Sequence, residues 1–333
     1  LLTYFYLGRF DDAQSFIDEH IKTYPKSKLI MHSRYYQASN KTRLQYWGEA
    51  AELLGKFFED YPDPNVNIYT PIALYDRANC HFSESEYEPA LVILNRLEEE
   101  FPKSSMIDMA FSMRGNIHES MGDFEDAETY YRRALEVAEQ RENDSVAGEA
   151  LSYLVGMLAT QKGPDKDNPL PRLEDAVPCY DEYMEKYKSS PFTPQVAVHG
   201  MAAMKAVNRE DEGLKNLQEV ITGLAGKERQ FFLEESVNAF SDFFLQKDGN
   251  TPEMLKELYY DFPGIDLSNK RVLALLRIAV IGVFEEQVQE AEVAKDKGLI
   301  LKYNAGIKVL FKDLKSEFAP AELTNFVLVR IGD

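Results

Sequence analysis

Five alanines set the frame for everything else in this 333-residue chain. Ala13, Ala50, Ala90, Ala127 and Ala176 each follow, three positions earlier, a large apolar residue: Phe10, Trp47, Tyr87, Phe124 and Leu173. Four positions after each alanine comes Ile17, Leu54, Leu94, Tyr131 or Tyr180. Twelve positions after the first three alanines stand Pro25, Pro62 and Pro102. Successive alanines lie 37, 40, 37 and 49 residues apart, and a further 37 reaches Gly213. A period near 37 with one inserted segment is the mark of a helical-repeat array rather than a single globular core.

The physics of one unit is readable. A small residue at the alanine column lets two helices approach closely, and the large residues at −3 and +4 continue its apolar stripe at helical spacing. Proline after the last turn cannot continue a helix and restricts the residue before it. Asp11-Asp12, Glu125-Asp126 and Glu174-Asp175 put acids in the first turn, where the helix dipole favours them. Gly8 and Met121-Gly122-Asp123 supply breaks between helices. Further on, Thr193–Ala206, Glu210–Leu224, Glu228–Leu245 and Pro252–Tyr260 read as helices, with Thr193 as an N-cap and Pro194 at the first helical position. Two longer helices follow at Asn269–Ala294 and Leu299–Phe318, without the repeat signature. Period-2 alternation is absent, and the insertion Gln161–Pro171 reads as a solvated loop. The predicted fold is an all-α, right-handed solenoid of about eight helical hairpins. Residues 1–225 carry the repeat and 226–333 form a divergent helical end. Because Leu1 falls inside a helix and Phe326-Val327-Leu328-Val329 is apolar, at least one end is expected to be covered by more protein or a partner.

Charge narrows the partners. With 56 acidic against 37 basic side chains the net charge is −19, which disfavours nucleic acid and anionic membrane surfaces and favours neutral to basic partners. The most apolar run, Val272 to Phe284, contains Arg277 and is shorter than the ~20 residues a membrane span needs, so it reads as a buried helix. The opening residues lack the basic and small-residue features of a signal peptide. Cys80 and Cys179, the two cysteines, do not form a disulfide framework.

The unit Met113-Arg114-Gly115-Asn116-Ile117-His118, Gly122-Asp123-Phe124-Glu125-Asp126-Ala127, Tyr131 and Ala134-Leu135 resembles the tetratricopeptide repeat nearly column by column. Tyr24-Pro25-Lys26-Ser27, Phe101-Pro102-Lys103-Ser104 and the looser Tyr187-Lys188-Ser189-Ser190-Pro191 close successive units. This closure is similar to the bacterial envelope branch of that family, which includes an outer-membrane assembly lipoprotein and the periplasmic Tol–Pal coordinator. The resemblance implies a non-enzymatic scaffold in the bacterial envelope, on the periplasmic side, that binds a protein or peptide in a concave groove, with no cofactor. A cytoplasmic location also fits the low cysteine content. A second reading is the helical accessory part of a larger cell-wall-cleaving enzyme, and a third is a signalling-peptide receptor.

No nucleotide-binding glycine loop, zinc-protease helix or serine-nucleophile elbow occurs in the chain. Acidic runs such as Glu98-Glu99-Glu100 read as solvated helix faces, and Asp165 and Asp167 lack the ligand ladder of a calcium loop. His81 and His118 recur in the strings Arg77-Ala78-Asn79-Cys80-His81 and Arg114-Gly115-Asn116-Ile117-His118, 37 residues apart, and read as packing residues rather than metal ligands. Tyr75, Asn79 and Phe82 fall on one helix face, and Ser112, Asn116 and Glu119 repeat it one unit later. The resemblance implies that this face lines the groove, where asparagine both donates to and accepts from a peptide backbone. An inter-repeat or solvated hydrogen bond is the alternative for Asn79 and Asn116.

Overall fold

The computed structural model describes residues 4, 7–160, 171–224, 230–245, 251–263, 265 and 267–332. These contain sixteen α-helices and one short 3-10 turn, and no β-strand. That is about eight hairpins' worth of helix, as expected from the sequence. The segment 161–170, and with it nearly all of the insertion, lies outside the described residues.

The first compact unit holds the described residues up to Met157. Its helices are α1 (Phe10–Thr23), α2 (Ile30–Arg43), α3 (Trp47–Asp60), α4 (Thr70–Ser83), α5 (Tyr87–Glu100), α6 (Ile107–Met121), α7 (Phe124–Gln140) and most of α8 (Asp144–Thr160). The second begins at Leu158 and contains α9 (Leu173–Lys186), α10 (Thr193–Ala206), α11 (Glu210–Leu224), α12 (Gln230–Leu245), α13 (Pro252–Tyr260), α14 (Lys270–Val293), α15 (Lys297–Glu317) and α16 (Asn325–Gly332). This division is one of packing. The division expected at residue 225 follows the repeat columns of the sequence, a different property.

The alanine column is the contact line between helices. All five alanines are fully buried, as are their +4 partners Leu54, Leu94, Tyr131 and Tyr180. Each residue at −3 opens a helix: Phe10, Trp47, Tyr87, Phe124 and Leu173 are the first residues of α1, α3, α5, α7 and α9. Where the +4 residue is Leu54 or Leu94, the facing first helix presents a buried alanine, Ala38 or Ala78. Where it is Tyr131, the corresponding residue is Gly115, and a Cβ there would lie 2.4 Å from the tyrosine ring. The aromatic ring occupies the space that the missing methyl leaves.

Two kinds of connection join the helices. The tight turns before α3, α5, α7 and α8 each place a residue at positive φ two positions before the helix: Gln45 (62°), Ser85 (61°), Gly122 (81°) and Glu142 (55°). Gly8, Asn208 and Lys295 do the same before α1, α11 and α15. Only two of these seven are glycine, so the turn geometry is held by packing of the flanking helices against a local cost of about 1–2 kcal/mol per residue.

The looser connections carry the aromatic-Pro-x-Ser closures. The backbone N–H groups of Ser27, Ser104 and Ser190 donate to Tyr24, Phe101 and Tyr187 at 2.9, 2.9 and 2.8 Å. Each serine hydroxyl then accepts from the N–H two residues on, at Leu29, Met106 and Phe192. Its carbonyl accepts from the first residue of the next helix. The serine thus satisfies a backbone donor that the helix start leaves without a partner. Between α3 and α4, Asn67 takes this role, its amide oxygen accepting from Tyr69 N–H and its amide nitrogen donating to the Tyr61 carbonyl. That connection spans 61–69, three residues longer than 24–29, 101–106 or 187–192, which accounts for the 40-residue spacing.

One sequence expectation is corrected. Thr193 is not the N-cap of α10; Phe192 is, without a side-chain cap bond, and Pro194 stands one position further in. Thr193 Oγ1 instead donates back into the preceding loop, at 2.9 Å from both the Lys188 and the Ser190 carbonyl. Thr70, also followed by proline, donates likewise to the Asn67 carbonyl. Cys80 and Cys179 are buried free thiols. Among the described residues no helix is long and apolar enough to cross a membrane. Arg277, inside the apolar run of α14, is buried and donates to the Tyr259 carbonyl and to Glu317.

Two measurements test this packing. Ala127→Leu forces added volume between paired helices and is expected to destabilise by about 1–3 kcal/mol; an unshifted denaturation midpoint would refute the contact line. Glu142→Gly relieves a left-handed conformation and is expected to stabilise by about 0.5–1 kcal/mol in the same titration, the reverse of the usual effect of glycine.

Candidate functional site

The first helices α2, α4, α6 and α8 share one register. Setting their starts side by side aligns Tyr35, Tyr75, Ser112 and Glu149 in one column and Ser39, Asn79, Asn116 and Tyr153 in the next. These residues are one helical turn apart on each helix, so the two columns form one face. Four of the eight, Tyr75, Ser112, Asn79 and Asn116, follow from the sequence pattern. Tyr35, Ser39, Glu149 and Tyr153 do not, although carrying the same spacing one unit further in each direction reaches them.

The face is bonded across helices. Tyr35 Oη donates to Asp76 Oδ2 at 3.0 Å, linking α2 to α4. Tyr131 Oη, from α7, lies 2.7 Å from Asn116 Oδ1 and 2.5 Å from Glu119 Oε2, and its single proton is shared between them. Asn116 also donates to the Tyr153 phenol, and Tyr153 Oη donates to Glu149 Oε1 at 3.0 Å. Tyr131 and Tyr153 bring their ring centres to 5.4 Å. Asn116 is therefore a structural bridge among α6, α7 and α8. Asn79, one unit earlier, is half-buried, and its side-chain amide makes no hydrogen bond among the described residues.

Two predicted members behave differently. Phe82 lies against Tyr87 of the following helix, with ring centres 6.2 Å apart, and packs on the α4–α5 core. Ser112 is 4% exposed, and its hydroxyl has no partner. It lies on α6 between columns that reach from both sides: the charges of Glu149 and Asp108 bear on the Tyr75 phenol, with Tyr153 also close.

Electrostatically the face is short of positive charge. Burial pushes the Asp76 carboxyl up to about 6, against the opposing pull of the Tyr35 bond and the Arg43 charge. Burial also raises Glu149, only partly offset by Tyr153. The phenols of Tyr35, Tyr75 and Tyr153 are raised as well, first by burial and then by the neighbouring carboxylates. Asp108, one turn before Ser112, is compensated: Asn143 Nδ2 donates to it at 2.8 Å and Met109 N–H at 3.0 Å. The arrangement offers desolvated carboxylates, phenol hydroxyls and a free amide, which together suit a cation and a peptide backbone. The histidines lie off this face: His81 Nδ1 is 2.6 Å from Glu86, and His118 stacks on Tyr130 at 5.3 Å. Among the described residues no group of three or more metal-ligating side chains comes together.

The two asparagines are expected to separate on mutation. Asn116→Ala removes partners from Tyr131 and Tyr153 and should lower stability by about 1–3 kcal/mol, while Asn79→Ala should leave it within about 0.5 kcal/mol. Equal losses in thermal melts of the two variants would contradict this division of roles.

Two family models, each described as the tetratricopeptide repeat, match residues 72–104 and 109–140, the α4–α5 and α6–α7 pairs. No curated protein matches the chain. Among solved structures, the C-terminal part of a TPR repeat-containing protein from Cytophaga hutchinsonii is similar at 16% identity and a TM-score of 0.48, with 83% of this chain and 95% of that one covered. A tetratricopeptide repeat protein from Parabacteroides merdae is similar at 15% identity and a TM-score of 0.36, with 71% and 95% covered. The TPR2AB-domain:pHSP90 complex of yeast Sti1 is similar at 14% identity and a TM-score of 0.29, with 84% and 100% covered. With all three scores below 0.5, the repeat assignment rests on the two matched segments, each of which carries the −3, alanine and +4 columns. Residues 72–104 and 109–140 are tetratricopeptide repeats.

Proposed function

We propose that this chain is a non-enzymatic scaffold or adaptor that holds a peptide or helix of a partner protein along the first-helix face of α2, α4, α6 and α8. The observation that carries the reading is the pair of under-compensated carboxylates, Asp76 and Glu149, set among Tyr35, Tyr75 and Tyr153. A buried carboxylate that has not found its full counter-charge inside the protein gains most from a cation brought by a ligand. A lysine or arginine of the partner would enter beside the half-buried Tyr75 and Tyr153, stacking on their rings while pairing with the acids, with Tyr35, 4% exposed and stacked on Tyr69, beneath it. The free amide of Asn79 would bond the partner's backbone, and a basic partner agrees with the net charge of −19. Tetratricopeptide repeats generally serve as protein-interaction surfaces, which supports the class of function. The aromatic-Pro-x-Ser closures favour a bacterial envelope protein facing the periplasm, a reading that fractionation of the native host would test.

Panning a random peptide library against the intact chain at pH 7.5 tests the reading. Selected peptides are expected to carry lysine or arginine, and selection of acidic or purely apolar sequences would overturn it. Asp76→Asn should weaken a selected peptide by roughly tenfold at pH 7.5. The parent should lose a similar factor between pH 7.5 and pH 5 as Asp76 takes up a proton, and the variant should lose much less.

The same substitution should act oppositely on stability. The Asp76 pKa is raised in the folded state, so its destabilising contribution is absent below the ordinary value of 3.8 and fully developed above about 6. Asp76→Asn is therefore expected to stabilise the free protein by about 1–3 kcal/mol above pH 6, an advantage that closes as pH falls towards 4. Denaturant titrations at pH 7.5 and 4.5 measure both.

A further inference from the structure

The chain is strongly acidic, yet one helix of the second unit presents an unbalanced basic face. On α15, Lys308, Lys312 and Lys315 follow each other at spacings of four and three, so all three project from one side. All are exposed, and none pairs with a carboxylate among the described residues. Neighbouring cations differ: Lys302 pairs with Glu253 at 2.7 Å, Lys270 with Glu322 at 2.6 Å and Arg277 with Glu317 at 2.5 Å. Like charges one turn apart oppose helix formation slightly, so the lysine row gives the isolated protein no stability.

Beside this row runs an apolar one. Ile307 and Phe311 are half-buried over the core residues Leu310 and Leu314. The opposite wall is Arg330 of α16, which is paired with Glu285 at 2.5 Å. Together these side chains line an open groove of about 560 Å³. The lysine row spans two helical turns, about 10 Å.

We propose that this groove between α15 and α16 docks an acidic amphipathic helix of a partner protein, whose apolar residues seat on Ile307 and Phe311 and whose carboxylates pair with Lys308, Lys312 and Lys315. The match is one of charge and of period: acids at i, i+4 and i+7 beside apolar residues present the complement of this face. A short helix also fits better than an extended polyanion. Its charge is confined to within a Debye length, about 8 Å at physiological salt, of the lysines. A nucleic acid or an anionic membrane extends far beyond and meets the repulsion of a chain carrying −19. The proposal is independent of the tyrosine-lined face of the first unit, which takes the opposite charge.

The test uses the full chain and a synthetic 18-residue helical peptide with glutamates at i, i+4 and i+7 beside leucines, labelled for fluorescence anisotropy. Saturable binding that weakens as salt rises from 0.05 to 0.3 M is expected. The variant Lys308→Glu/Lys312→Glu/Lys315→Glu should weaken it by at least tenfold and should bind the lysine-for-glutamate version of the peptide instead. Phe311→Ala should weaken the original peptide without lowering its salt dependence. Should the triple charge reversal fail to give a wild-type helical melting curve, Lys312→Gln alone is expected to weaken the peptide about threefold. Peptide affinity indifferent to these lysines would overturn the proposal. So would anionic vesicles or single-stranded RNA that bind the parent chain through the same lysines and displace the peptide.

Discussion

Everything in the repeat region depends on how closely two helices can approach at one line of small residues. Ala13, Ala50, Ala90, Ala127 and Ala176 are fully buried, and each sets the separation of its helix from the neighbour it faces. Once that separation is fixed, a residue and its counterpart one period later sit side by side, and columns of the sequence become rows of a surface. Gly115 shows how strictly the spacing is held. Where Tyr131 stands in place of the +4 leucine, the facing helix carries glycine, and a Cβ there would lie 2.4 Å from the ring. The tyrosine hydroxyl, carried through to the first-helix face by this fit, then organises Asn116 and Glu119. Packing and the chemistry of the candidate site are thus joined at one glycine–tyrosine contact.

The same chain of causes explains what the sequence reveals and what it conceals. The alanine, −3 and +4 columns are legible because burial at a helix contact restricts residue size at a fixed period. Helix starts at Phe10, Trp47, Tyr87, Phe124 and Leu173 follow directly. Turn geometry is much less legible. Gln45, Ser85 and Glu142 hold left-handed conformations that their residue types do not announce, because the helices on either side impose them. At Thr193, threonine before proline resembles a cap, yet its hydroxyl had nearer acceptors in the preceding loop. In the candidate site, register alone places Tyr75, Ser112, Asn79 and Asn116. It does not say that Phe82 turns towards Tyr87, or that Asp76, one position off the column, is reached by Tyr35 from the next helix. Those are tertiary facts. Summed charge hides the lysine row of α15 for a similar reason, since a total of −19 carries no information about where the positive minority gathers.

The two candidate surfaces place opposite demands on the protein. The face of α2, α4, α6 and α8 keeps carboxylates partly dry, so its ionised form is held at a cost that the surrounding repeats must carry. A helical array can do this because each pair is stabilised mainly by its neighbours, and the strain of one position is spread over adjoining contacts. The α15 groove keeps its lysines wet and its apolar floor half-covered, a state with little internal strain. A ligand of the first surface would relieve a burden already present in the fold. A ligand of the second would contribute burial and pairing that the free protein lacks.

The connection at 61–69 has a consequence for how such a chain can change over time. It takes in three additional residues, yet Asn67 reproduces the bonds that Ser27, Ser104 and Ser190 make, and the helices on both sides keep their alignment. The left-handed turns allow no such slack, since a residue added between the positive-φ position and the helix start would rotate every following side chain by about 100° about its axis. Insertions and deletions are thereby channelled to the serine- and asparagine-closed joints and away from the left-handed turns, two of which, before α7 and α8, follow each other directly. Length is free to vary at the looser joints, while each left-handed turn fixes the register of the helix that follows it.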